Sequence, residues 1–197
     1  MNLIDIRRNL AYRITDPIVR ILSKSGITPN ALTLINLALN IVAAYVIATG
    51  HFLLGGVLVL VSGLFDLLDG ALARFTKQTT KFGAILDSTV DRISEAAILC
   101  GLLIWYVPQE GASLKIVLIF VVLIGSFLVS YIRARAEGLG WQCQVGLFTR
   151  AERVIVLAIG LLINQIFIAL CVLAVFVFIS VVQRLVYLWK QGKIRGD

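Results

Sequence analysis

Asp66-Leu67-Leu68-Asp69-Gly70-Ala71-Leu72-Ala73-Arg74, followed by Gly83, Asp87 and Asp91, places four carboxylates where two apolar runs, about 53–74 and 83–107, meet. Charged groups inside a hydrocarbon layer are costly, so they need a reason to be there. Asp66 and Asp69 are three residues apart, and Asp87 and Asp91 four, so each pair shares one face of a helix. The short loop 75–82 makes the two helices antiparallel neighbours and sets all four acids at similar depth, just below one membrane surface.

Further runs extend outward from this pair, giving six near 30–49, 53–74, 83–107, 112–136, 150–166 and 167–189. Each approaches the ~20 residues that span a ~30 Å hydrocarbon core. Hydrophobic residues make up 59% of the 197, only 15% are charged, and the mean hydropathy is +0.96. A soluble domain of this size could not cover that much apolar surface. The predicted fold is an all-α integral membrane protein with six transmembrane helices. Thr49-Gly50-His51 and Val107 to Gly111 mark turns, and a break near Asn164-Gln165 divides the last apolar block.

Residues 1–25 read differently. Leu3, Ile6, Leu10, Ile14 and Ile18 recur at helical spacing between Arg7, Arg8, Arg13, Arg20 and Lys24. This is the pattern of an N-terminal amphipathic helix lying on anionic headgroups, set before a transmembrane domain over 26–197. With six spans and a cytoplasmic N-terminus, Lys115 is the only one of 18 basic residues near the outer face. Positive loops stay inside, so both termini are expected in the cytoplasm. The net charge of +7 then reflects topology and affinity for lipid and phosphate, not nucleic acid. Cys100, Cys143 and Cys171 have no metal-ligand spacing and are expected as thiols, and His51 stands at an outer turn.

Four acids facing one another in a low dielectric repel unless cations neutralise them. Oxygen ligands without His or Cys select Mg²⁺, Mn²⁺ or Ca²⁺ over zinc. Two other readings exist: carboxylates paired with Arg74, Arg92 and other cations, or an ion pathway such as a divalent-cation transporter. A pathway needs polar groups continuing to the outer face, and the sequence has none there.

Eight positions over 26 residues, Asp66, Asp69, Gly70, Ala73, Arg74, Gly83, Asp87 and Asp91, resemble the signature of the CDP-alcohol phosphatidyltransferase family. The resemblance implies transfer of a phosphatidyl-type group from a CDP-linked lipid to an alcohol, with release of CMP. It implies that Asp66, Asp69, Asp87 and Asp91 hold Mg²⁺ or Mn²⁺ as a two-metal site, and that Asp91 also orients or deprotonates the acceptor hydroxyl. The CDP site would use Gly70, Ala73, Arg74, Thr80 and Gly83, with Thr79 beside them and Pro29 and Asn30 facing the same space. A homodimer in a prokaryotic cell membrane, with the site open to the cytoplasm, is expected from the same likeness.

The acceptor is read from Leu86-Asp87-Ser88-Thr89-Val90-Asp91-Arg92, Ser130 to Glu137 and Thr149 to Arg153, together with Gln183-Arg184-Leu185. These resemble the branch of the family that makes inositol-phosphate lipids on diacylglycerol or archaeol. There Arg133, Arg153 and Arg184 would contact the phosphate of inositol phosphate. Glycerol 3-phosphate is the alternative acceptor, as in phosphatidylglycerophosphate synthases, although those usually carry Pro after the third aspartate and Lys after the fourth.

Overall fold

A computed structural model describes residues 17–143, 145, 146 and 148–195. Among these, six long helices follow one another: α1 (Pro29–Ala48), α2 (Phe52–Phe75), α3 (Lys81–Tyr106), α4 (Ser113–Gly138), α5 (Arg150–Leu162) and α6 (Ile166–Arg195). Most of the predicted surface helix lies outside the described residues. Residues 17–22 are helical, and Val19 is buried against Leu32, Leu68, Ala71 and Leu72, so this end of the segment docks on α1 and α2.

The helix ends follow from threonines and left-handed residues. Thr28 accepts from Ala31 N at 3.2 Å, Thr80 accepts from Gly83 N at 2.9 Å, and Thr149 with Glu152 forms a capping box. At the other ends α1, α2, α4 and α5 share one termination. Gly50, Lys77, Gly140 and Asn164 have φ of 85°, 54°, 77° and 55°. In each case the next residue's N–H returns to the carbonyl five residues back, as Gln165 does to Gly160 at 2.8 Å. The predicted break at Asn164-Gln165 is therefore a capped helix end.

Four helices, α1, α2, α4 and α6, are long and apolar enough to cross a membrane. Many large apolar side chains point outward, among them Tyr45, Leu53 and Phe178, as a lipid solvent requires. α3 has 26 residues but carries Lys81, Asp87, Asp91, Arg92 and Glu95. The run 150–166 yields only the 13 residues of α5, about 20 Å of helix.

The packing differs from simple neighbour-to-neighbour pairing. α1 packs extensively against both α2 and α3, whereas α2 and α3 scarcely touch each other. A Cβ on Gly101 would stand 2.4 Å from Ala44 O, so the α1–α3 crossing depends on that missing side chain. α5 lies on α2 and α6, and α4 on α6. An apolar core built around Ile47, Val59, Leu99, Leu102, Leu161 and Leu170 fills the space toward the α1–α2 turn. At the opposite end, α2 and α3 are held apart by α1 and leave a cleft.

Candidate active site

The cleft is where the four aspartates lie. Carboxylate oxygens of Asp66, Asp69 and Asp87 come within 4.8 Å of one another across the gap. Asp69 is the most enclosed, 4% exposed, and accepts a 2.9 Å hydrogen bond from Thr33 Oγ1 on α1. Asp91 stands outside this group of three. It is held instead by Arg150, whose Nη1 lies 2.7 Å from Asp91 Oδ1 and 2.6 Å from Asp66 Oδ1. The Asp66 contact is a hydrogen bond. The Asp91 contact lacks hydrogen-bond angles, and Asp91 Oδ1 is buried without accepting one.

A cavity of about 170 Å³ opens beside Asp69 and Asp87. All six residues expected at the CDP site, Pro29, Gly70, Ala73, Arg74, Thr80 and Gly83, line it, together with Asn30, Thr33, Gln78, Thr79 and Ala84. The local reasons are plain. Pro29 starts α1 and Thr80 caps α3, so both helix N-termini face the space where a pyrophosphate would be favoured. The Arg74 guanidinium folds back over Gly70, 3.4 Å from where a Cβ would be. A Cβ at Gly83 would meet Thr80 Oγ1 at 2.9 Å and Asn30 Oδ1 at 3.2 Å. A side chain there would fill the cradle.

A second cavity, about 210 Å³, reaches Asp66 from the α5 side and is lined by Asn40, Ser62, Ser94, Glu95, Arg150 and apolar side chains of α2, α3 and α5. Ser62 Oγ donates to Asn40 Oδ1 at 2.9 Å along this wall.

The three arginines read from the acceptor motifs have different settings. Arg133 is half-exposed and pairs with Glu137 at 2.8 Å. Arg153 is 4% exposed and spends its fork on Glu95, with Nε at 2.7 Å and Nη2 at 2.8 Å from the two carboxylate oxygens. Arg184, 5% exposed, donates through Nε to Val145 O at 3.0 Å and through Nη1 to Val129 O.

Sequence reasoning missed Thr33, Glu95 and the role of Arg150. A signal existed for Glu95, which continues the Asp87–Asp91 stripe by four more residues and, as an acid within an apolar run, demands a partner.

The model of the CDP-alcohol phosphatidyltransferase family matches residues 26–186. The chain belongs to this family. As a CDP-alcohol phosphatidyltransferase it is an enzyme, a membrane-bound transferase of phospholipid biosynthesis, and this family membership sets aside the transporter alternative. It is 36% identical over 188 residues to phosphatidylinositol phosphate synthase of Mycobacteroides abscessus, covering 91% of this chain and 86% of that one. It is 38% identical over 176 residues to archaetidylinositol phosphate synthase of Pyrococcus horikoshii, covering 87% and 90%. The crystal structure of Mycobacterium tuberculosis phosphatidylinositol phosphate synthase with CDP-DAG bound superposes with a TM-score of 0.81 at 35% identity, over 90% of this chain and 94% of that one. The same relative in complex with manganese and citrate gives 0.82 at 34% identity, over 89% and 88%.

The residues of this transferase fit a divalent metal. Three carboxylates converge from two helices and the donor set is oxygen alone, which suits Mg²⁺ or Mn²⁺.

Proposed function

We propose that this transferase moves the phosphatidyl-type group of CDP-diacylglycerol or CDP-archaeol onto inositol 1-phosphate, releasing CMP and forming a phosphatidylinositol phosphate. The observation that carries the reading is the adjacency of two features. One is a cavity walled by Gly70, Ala73, Arg74, Thr80 and Gly83; the other is an acidic centre that opens directly from it at Asp69 and Asp87. The activities of the relatives, bacterial phosphatidylinositol phosphate synthase and archaeal archaetidylinositol phosphate synthase alike, support the acceptor class.

In this reading Pro29, Gly70 and Ala73 leave room for the nucleotide, and Arg74 pairs with the pyrophosphate. Asp66, Asp69, Asp87 and Asp91 would hold the metal, which would supply positive charge against that developing on the phosphate oxygens. Asp91 lies at the edge of the cluster and orients the acceptor hydroxyl, taking its proton as the new P–O bond forms and the bond to CMP breaks. The phosphate of the acceptor is drawn to Arg133, Arg153 and Arg184. Arg133 is the most exposed of these, while Arg153 already serves Glu95 and Arg184 backbone carbonyls.

The architecture proposed with this function has six membrane crossings, α5 being the shortest, and a surface helix over 1–25 before a transmembrane domain of 26–197. Both termini and the cleft face the cytoplasm of a prokaryotic cell, and two copies form a homodimer. The distribution of Lys and Arg supports that orientation.

CMP release by the detergent-purified chain tests the proposal, with CDP-diacylglycerol or CDP-archaeol, Mg²⁺, and inositol 1-phosphate, glycerol 3-phosphate, inositol or serine supplied separately. Release with inositol 1-phosphate alone is expected. Release with glycerol 3-phosphate instead would keep the reaction and discard the acceptor.

A further inference from the structure

Arg150 is the first residue of α5, and its place is fixed by the capping box in which Thr149 N donates to Glu152 at 2.9 Å. From there one nitrogen reaches two helices at once, Asp66 on α2 at 2.6 Å and Asp91 on α3 at 2.7 Å. Those two helices have almost no direct packing. Among the described residues Arg150 makes both of the ion pairs to the four aspartates, while Arg92 turns to its own helix and donates to Ser88 O. At this bridge Arg150 Nε is buried without a hydrogen bond, and Asp91 Oδ1, which accepts none, has the guanidinium as its ion-pair partner.

We infer that Arg150 is a positioning residue that clasps Asp66 and Asp91 across the cleft in the metal-free enzyme and competes with divalent metal for those oxygens. The inference rests on the metal-centre reading given above. The guanidinium offsets one of four carboxylate charges, which keeps the cleft assembled before metal arrives. The same positive charge opposes a cation bound to the shared oxygens. Arg150 therefore stabilises the metal-free fold and weakens metal binding, two effects of opposite sign that a plain structural salt bridge would not produce together.

The test is a Mn²⁺ titration of the metal-stripped, detergent-purified full chain, read by the EPR signal of the free aqua ion, with thermal unfolding measured without metal and at saturation. Arg150→Gln is expected to bind Mn²⁺ about ten-fold more tightly and to unfold at a lower temperature without metal. Its rise in Tm on metal saturation should exceed that of the wild type, because a tighter ligand stabilises more. Arg150→Lys keeps the charge but not the planar fork, so it should lose metal-free stability while its Mn²⁺ affinity stays within two- to three-fold of wild type. Unchanged or weaker Mn²⁺ binding by Arg150→Gln, beside a wild type that binds, would overturn the competition. A Lys variant as stable as wild type without metal would overturn the clasp, and it can be read even if the Gln variant does not fold. A wild type that binds no Mn²⁺ would instead remove the metal centre on which the inference stands.

Discussion

The two ends of this helical bundle are built on opposite principles. Toward the α1–α2 turn, Ile47, Leu102, Leu161 and Leu170 are buried to within 1% exposure, Phe52 meets Trp105 edge to face at 5.5 Å, and Lys115 sits 4.6 Å over Tyr106. Toward the α2–α3 loop, a smaller apolar cluster of Leu32, Leu68, Ala71 and Leu72 is joined by buried Asp69, Glu95, Arg153 and Arg184, each with a polar partner. One end is closed by apolar contact and tolerates change gradually. The other adds a few directed polar contacts to its smaller apolar cluster.

The largest expected effect is at the polar end. Asp91→Asn keeps the shape of the side chain and removes its charge, so kcat should fall about 10³-fold while CMP and donor binding persist. A CMP-release assay beside a nucleotide-binding titration checks this; near-normal turnover would take Asp91 out of the chemistry. Arg153→Ala should follow, costing about 3 kcal/mol because Glu95 is left as a buried unpaired charge. Its thermal unfolding separates that loss from any change in acceptor KM, and a stable variant with a raised acceptor KM would assign Arg153 wholly to the substrate. Gly83→Val pushes atoms against Thr80 and Asn30 and is expected to raise the donor KM about ten-fold, roughly 1.4 kcal/mol, with the acceptor KM unmoved. The smallest effect belongs to the apolar end. Lys115→Ala removes a cation–π contact worth about 0.5–1 kcal/mol and should leave both KM values as they were. A loss of turnover there would break the division between the two ends.

The same division governs what could be read from the sequence. Spacing within one helix was legible: the Asp66–Asp69 and Asp87–Asp91 faces, Thr80 and Pro29 at helix starts, and the break at Asn164 all depend on residues close in the chain. Much of the cavity beside Asp69 and Asp87 was legible too, because most of its walls are the two ends of one short loop. Pairings across the chain were not. Arg150 meets Asp66 across 84 positions, and Arg153 meets Glu95 across 58. Which of two arginines three residues apart turns to the aspartates and which to Glu95 depends on how α5 is rotated, and no local pattern encodes that. The wedge of α1 between α2 and α3 escaped for the same reason, since a short loop suggests contact and the actual contact runs through a third helix.

That wedge makes α3 a lever. Its pivot is the crossing at Gly101 and Ala44, where backbone meets backbone with no side chain between, and its working end is Asp91, ten positions away along the same helix. At 1.5 Å per residue the arm is about 15 Å long, so a tilt of roughly 4° at the pivot swings the carboxylate through about 1 Å, enough to cost on the order of 100-fold in rate. A single methyl group placed at Gly101, deep in the apolar half, would therefore be felt at the Asp91 carboxylate as a change of angle.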